Sequence, residues 1–216
     1  MLTGAGRGFC AGADMGNLAS RAANSGATSA VSAPPHVGDG DFEQRYSYLL
    51  AVPKPIIAAI NGSIAGVGLC VALYCDLRYM AEGAKLATAF ARRGLIAEHG
   101  SAWMLSRLIG PMNAADLLMS GRAIDTAEAA RLGLVRALPA EGFSAAVRAI
   151  ASDFANLSSP RSMGIMKRQL YLAPSQTLAE ATKLADAELA KCRQTEDFRE
   201  GVAHYVEKRR PNFTGR

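Results

Sequence analysis

The stretch from Ile56 to Asp76, IIAAINGSIAGVGLCVALYCD, constrains what this chain can fold into more than any other. It is apolar over nearly the length of a membrane span, yet Asn61 and the glycines at 62, 66 and 68 interrupt it, and it stops on Asp76. Such a run reads as a buried strand, a turn and a well-packed helix rather than as a bilayer-crossing segment. Pro53 and Pro55 force an extended approach. Ile56-Ile57-Ala58-Ala59-Ile60 is short and unbroken, the pattern of a fully buried strand, and Asn61-Gly62 ends it. A helix is expected over 66–75 and a further strand over Leu77 to Tyr79.

Around this centre the chain alternates. Met1 to Gly8 reads as a strand stub running into a Gly-rich loop, and residues 20–41, rich in Gly, Ser and Pro, as a surface loop. Phe42 to Leu50 is expected to be a short helix. Another helix follows Gly100, carries Trp103, Leu105 and Leu108, and closes at Gly110-Pro111. Asp125-Thr126-Ala127-Glu128 has capping-box spacing, Gly133 ends that helix, and Leu134 to Leu138 reads as a strand. From about Phe143 the pattern is helical; Thr177 and Glu180 fit a second capping box, with Leu178, Ala181, Ala185 and Leu189 on one face. There is no internal repeat. The plan is an α/β core over residues 1–140 followed by a helical region over 141–216.

Half of the 216 residues are hydrophobic and 20% are charged, enough for a sizeable core without disulfides. The net charge of +5 is spread rather than striped, which suits an anionic small ligand better than nucleic acid, and no aromatic stacking platform is present. Cys10, Cys70, Cys75 and Cys192 form no CxxC pair, and His36, His99 and His204 lie far apart. Neither a metal site nor a disulfide framework is expected, and reduced thiols point to the cytoplasm. The amino terminus lacks a charged segment followed by an apolar one, so no secretion signal is expected.

Three constellations could carry chemistry. Phe9-Cys10-Ala11-Gly12-Ala13-Asp14 follows a Gly-rich turn, and its small side chains let a ligand approach free peptide N–H groups; the plain alternative is a tight turn. Asn61 through Gly68 leads from a strand into a helix whose amino terminus offers further N–H groups. Gly66 and Gly68 give GxG, but Val71 replaces a third glycine and Leu86 stands where a ribose-binding acid belongs, which argues against a dinucleotide site. Two such loops are what an oxyanion hole needs: a thioester carbonyl gathers negative charge as its enolate forms, and losing one donor typically costs about 3 kcal/mol. Finally, Glu98-His99-Gly100-Ser101 sets a carboxylate and an imidazole at a helix start. Either could move a proton beside a substrate's α- or γ-carbon; otherwise Glu98 only interacts with the helix terminus. His99 is a secondary candidate. The basic run Glu207 to Pro211 is a solvated tail or a phosphate contact.

Taken together, Leu2 to Gly6, Phe9 to Asp14, Pro53 through Asp76, Gly94-Leu95-Ile96, Leu132 to Val135, and Asp197 through Phe213 resemble the enoyl-CoA hydratase/isomerase (crotonase) family, in order and at family spacing. The resemblance implies an α/β spiral of ββα units with a helical carboxy-terminal trimerisation region, a homotrimer or dimer of trimers, and no metal or separate cofactor beyond the coenzyme A of the substrate. It implies that the backbone N–H groups of Ala13 and Val67 form the oxyanion hole, a role indifferent to the side chain. Ala11, with Gly12 and Asp14 beside it, matches the adenine-contacting segment. Lys208 and Phe213 match a carboxy-terminal region that approaches coenzyme A, often from a neighbouring subunit. The two glutamates with which the family's hydratases activate water fall on Cys70 and Phe90, neither of which handles protons that way. Glu98 matches the single acid/base carboxylate of the family's double-bond isomerases.

The resemblance further implies about 50 residues ahead of the Leu2-Thr3-Gly4 strand, a size compatible with ordinary domains. A chain lacking them is expected to expose a sheet edge and apolar surface. The sequence therefore points to an enzyme of fatty acid metabolism shifting a double bond in an acyl-CoA, with no nucleic-acid or membrane partner. A hydratase (a lyase) or hydrolase using Glu98 or His99 to activate water, and a non-catalytic acyl-CoA-binding subunit, are the alternatives.

Overall fold

In the computed structural model, which describes residues 1–14, 16, 19, 20, 23 and 40–216, the strands divide between two four-stranded sheets, alternating from β1 to β6. Strands β1 (Leu2–Thr3), β3 (Ile57–Ile60), β5 (Leu77–Ala81) and β8 (Arg136–Leu138) form one sheet in that spatial order, all parallel. Strands β2 (Gly8–Cys10), β4 (Ser63–Ala65), β6 (Lys85–Ala87) and β7 (Ala123–Asp125) form the other, parallel except for the antiparallel pair β6–β7. The register runs Leu2↔Ala58 and Ile57↔Leu77 in the first sheet. β1 is an edge strand, and Leu2 is exposed.

The unbroken apolar run of β3 follows from burial on both faces. Ala58 and Ile60 face the main core with Met80, Ile64, Leu86 and Leu105. Ile57 and Ala59 face a second cluster with Tyr79, Phe143 and Val147. Helices α1 (Tyr48–Ala51), α2 (Val67–Leu73), α3 (Ser101–Ile109), α4 (Pro111–Ser120) and α5 (Thr126–Arg131) are interleaved with the strands. α6 (Phe143–Leu157), α7 (Pro160–Leu172), α8 (Leu178–Cys192) and α9 (Glu196–Glu207) then follow without further strands.

Several expectations are adjusted. The helix expected over Phe42 to Leu50 is confined to Tyr48–Ala51, because Gln44 N–H donates to Ser47 Oγ (3.0 Å) and Glu43 N–H to the Gly40 carbonyl (3.0 Å), which closes turns ahead of it. The Asp125 capping box forms by half: Asp125 accepts from Glu128 N–H at 2.8 Å, while the Glu128 carboxylate turns to Arg122 at 2.6 Å. Most of the loop expected at 20–41 lies outside the described residues.

The Thr177 box is complete. Thr177 Oγ1 accepts from Glu180 N–H, and Glu180 Oε2 accepts from Thr177 N–H at 2.7 Å. Thr177→Ala is expected to lower stability to urea by about 1 kcal/mol. No change in the unfolding midpoint would show that this exposed cap contributes nothing.

A buried ion pair docks the carboxy-terminal helices on the core. Lys167, on α7 and 5% exposed, donates from Nζ to Asp76 Oδ2 (2.8 Å) and to the carbonyls of Leu49 (2.8 Å) and Lys54 (3.2 Å). Asp76 also accepts from Ile56 N–H (2.6 Å) and Tyr171 Oη (2.9 Å). Burial raises the Tyr171 pKa, with Asp76 adding to the shift, so the phenol remains a neutral donor.

Candidate active site

Strands β2 and β4 pair in parallel, Gly8 against Ser63 and Cys10 against Ile64, so the segments that follow them leave the sheet side by side. One is Ala11 to Asp14; the other passes through Gly66 into α2, whose first residue is Val67. The two nearly touch: a Cβ on Gly68 would lie 2.5 Å from Cys10 Cβ and 2.8 Å from the Cys10 carbonyl oxygen. Only glycine fits that approach. Asn61, just after β3, ties that strand's end to the loop between β1 and β2. Its Oδ1 accepts from Gly4 N–H (2.9 Å) and its Nδ2 donates to the Gly6 carbonyl (3.0 Å). In the sequence Asn61 looked like a turn residue alone; its cross-link emerges only when β1 lies beside β3.

Both segments open on a cavity of about 550 Å³. Ala11, Gly12, Ala13 and Asp14 line one side, Gly66 and Val67 the next, and Phe90, Arg93, Leu95 and Glu98 complete it. Among the described residues, the N–H groups of Ala13 and Val67 have no hydrogen-bond partner. Val67 heads its helix, where no carbonyl lies one turn back to receive its N–H. The structure thus brings two unpaired backbone donors and the Glu98 carboxylate to one cavity.

Glu98 does not cap the helix that follows it. Helix α3 has no side-chain cap, and the Glu98 carboxylate makes no hydrogen bond or ion pair among the described residues. The Glu98 carbonyl, by contrast, is held, accepting from Ser101 N–H (3.0 Å) and from the Cys70 thiol (3.6 Å). Its side chain is left half-buried at the cavity.

His99 points elsewhere. It does not line the cavity; its ring meets Tyr46 edge-on with centroids 4.9 Å apart. Burial lowers its pKa, a shift that Glu98 opposes and Arg45 reinforces, so its imidazole favours the neutral form. Cys70 is fully buried, and burial pushes its thiol up to about 11, leaving it protonated and inert as a base. Phe90 lines the cavity as a hydrocarbon wall. Arg93, which sequence reasoning did not single out, adds a cation to that wall; its Nη1 donates to the Ala89 carbonyl (2.9 Å).

Lys208 and Phe213 are not brought to this cavity within one chain. Lys208 ends α9 in a left-handed conformation (φ 52°) and is exposed, while Phe213 packs on His204 with ring centroids 5.9 Å apart. The terminal segment is pinned by Asp197, which accepts from the N–H groups of Thr214 (2.8 Å) and Gly215 (3.0 Å).

Residues 1–216 match the sequence profile of the family described as enoyl-CoA hydratase/isomerase. The chain belongs to that family. A probable enoyl-CoA hydratase of Rhodobacter capsulatus is 34% identical over 217 residues, covering 100% of this chain and 80% of the relative. The 1,2-epoxyphenylacetyl-CoA isomerase of Escherichia coli is 31% identical over 221 residues, with the same coverage of 100% and 80%. Among solved structures, a probable enoyl-CoA hydratase/isomerase from Mycobacterium abscessus superposes with a TM-score of 0.85 at 30% identity, over 99% of this chain and 80% of that one. An enoyl-CoA hydratase from Polaromonas sp. JS666 gives 0.86 at 28% identity, over 98% and 80%. The expected α/β crotonase-type fold is therefore the fold found. Within this enoyl-CoA hydratase/isomerase family the similar proteins carry both hydratase and isomerase names. No helix among the described residues is long and apolar enough to cross a membrane.

Proposed function

We propose that the protein isomerises a double bond in an unsaturated acyl-CoA through an enolate, with Glu98 as its one acid/base group. The observation that carries this reading is that, among the described residues, the unpaired Glu98 carboxylate shares a cavity with two unpaired backbone N–H donors. The Glu98 carboxylate removes a proton from the α-carbon of a 3-enoyl thioester. The electron pair moves into the thioester carbonyl, whose oxygen becomes an oxyanion hydrogen-bonded by Ala13 and Val67 N–H. The carbonyl re-forms, electrons move back through the conjugated system, and the protonated Glu98 returns its proton at the γ-carbon. The atoms balance with no water or other reactant consumed. Hydration would ask for a second proton-handling group, and the positions that resemble the hydratase glutamates hold a protonated, buried thiol and a phenyl ring.

Hydration stays the second reading because the Rhodobacter capsulatus relative bears a hydratase name. Following the conjugated-thioester absorbance separates the two. A rise with a 3-enoyl-CoA supports isomerisation; a fall with a 2-enoyl-CoA establishes hydration instead. Acyl-CoA binding without turnover of either would leave a non-catalytic binding subunit as the function.

We also propose that the chain self-associates through its carboxy-terminal helices, as a trimer or dimer of trimers, so that Lys208 and Phe213 approach coenzyme A bound in a neighbouring copy. Helix α8 buries no residue, and Leu170, Leu178, Tyr205 and Val206 are each at least 71% exposed in the single chain. Sedimentation at micromolar concentration is expected to show a species of three or six chains; a monomer would refute the assembly.

A further inference from the structure

Helix α2 reaches both halves of the site. At its first residue stands Val67, with an unpaired N–H on the cavity; at its carboxy-terminal cap stands Tyr74, whose Oη donates to the His99 carbonyl at 2.7 Å. Between them, the Cys70 thiol donates to the Glu98 carbonyl. Seven helical residues span about 10 Å at 1.5 Å per residue and form a rigid spacer.

The turn that presents Glu98 needs holding. His99 and Gly100 are both left-handed, at φ 52° and 69°, and His99 carries a side chain that disfavours this region. A non-glycine residue in this region persists only when its surroundings over-determine it, whereas Gly100 adopts it freely. Tyr74 supplies that constraint from a buried position, 7% exposed. Its hydroxyl also lies so close to Gly100 that a Cβ there would sit 2.5 Å from Oη.

We propose that Tyr74 is a positioning residue for Glu98: through its hydrogen bond to the His99 carbonyl, helix α2 fixes the carboxylate at a set distance from the Val67 N–H. The inference rests on the reading of Glu98 as the acid/base group. Burial raises the Tyr74 pKa, so the hydroxyl remains a neutral donor over the working range.

The test is Tyr74→Phe, which removes one oxygen from a ring that otherwise stays packed. Turnover of a 3-enoyl-CoA is expected to fall at least tenfold, towards the roughly 100-fold that small misplacements of reacting groups produce. Affinity for a saturated acyl-CoA, measured by calorimetry, is expected to stay within about twofold, because the binding surfaces are untouched. Amide exchange at Ser101, which donates to the Glu98 carbonyl, is expected to quicken. Val147→Ala serves as control, since it weakens a core cluster on the opposite side of the first sheet and is expected to leave kcat unchanged.

A second variant, Gly100→Ala, strains the same turn from its other side. Combined with Tyr74→Phe, it is expected to cost less than the sum of the two separate effects. Unchanged kcat in Tyr74→Phe overturns the inference, as does an equal kcat loss in Val147→Ala, or a loss of affinity in step with kcat. If Glu98→Gln abolishes turnover and Tyr74→Phe does not alter it, the positioning role alone fails. If Glu98→Gln turns over like wild type, or wild type turns over no enoyl-CoA, the reading of Glu98 fails and takes this inference with it.

Discussion

Glu98→Gln is expected to lower turnover of a 3-enoyl-CoA by about 10³-fold, within the range that a positioned acid/base group contributes. That corresponds to about 4 kcal/mol of lost transition-state stabilisation. Glutamine keeps the size and the half-buried placement of the side chain but cannot accept the α-proton. The two backbone donors remain, so binding of an unreactive acyl-CoA is expected to change by less than about twofold, and the loss should appear in kcat rather than KM. A residual rate within tenfold of wild type would mean that another group moves the proton. Among the described residues lining the cavity, only Asp14 offers a second carboxylate. His99, turned onto Tyr46, is expected to be replaceable by glutamine with far less effect.

The second large effect concerns stability. Lys167→Met is expected to destabilise the fold by about 3–5 kcal/mol, the range for removing one partner of a buried ion pair. Against the roughly 5–15 kcal/mol that holds a typical domain folded, this is a large fraction. The cost arises because the Asp76 side chain is left with only Ile56 N–H and Tyr171 Oη as hydrogen-bond donors, while the carbonyls of Leu49 and Lys54 lose their shared donor. Urea unfolding measures it directly. The double variant Lys167→Met with Asp76→Asn should recover part of the loss, since both members of one network are removed together. A single-variant loss below about 1 kcal/mol would show that the pair is solvated in solution. Since Lys167 fixes α7 to the segment that leads into β3, this variant is also expected to loosen the helices that carry Lys208.

What the sequence reveals and conceals follows from the range of the forces involved. β3 and α2 were legible because burial on all sides leaves an unmistakable apolar run, and Asn61-Gly62 marks where it turns. The complete cap at Thr177 was legible because its partners are three residues apart. The strands β2, β4, β6 and β7 were not. Each has three residues, too few to display an alternation, and each exists through its neighbours in the sheet. Glu98 could be singled out by charge and resemblance, but whether it caps α3 or faces the cavity is decided by two left-handed residues that sequence does not announce. Tyr74 and Lys167 were missed for the same reason. Their partners lie 25 and 91 residues away, and neither residue belongs to a recognisable local pattern.

The unpaired N–H groups of Ala13 and Val67 have a consequence for how such a protein changes over generations. A side chain that does chemistry can be erased by one codon, whereas a peptide group is carried by every residue and survives any substitution the local backbone accommodates. On the reading proposed for Ala13 and Val67, the charge-stabilising half of the cavity is therefore inherited with the fold itself. On the same reading, the proton-handling half rests on the side chain of Glu98 and can be gained, lost or moved one position at a time. A lineage built this way can drift from one acyl-CoA reaction to another without passing through an ancestor that has lost its grip on the thioester.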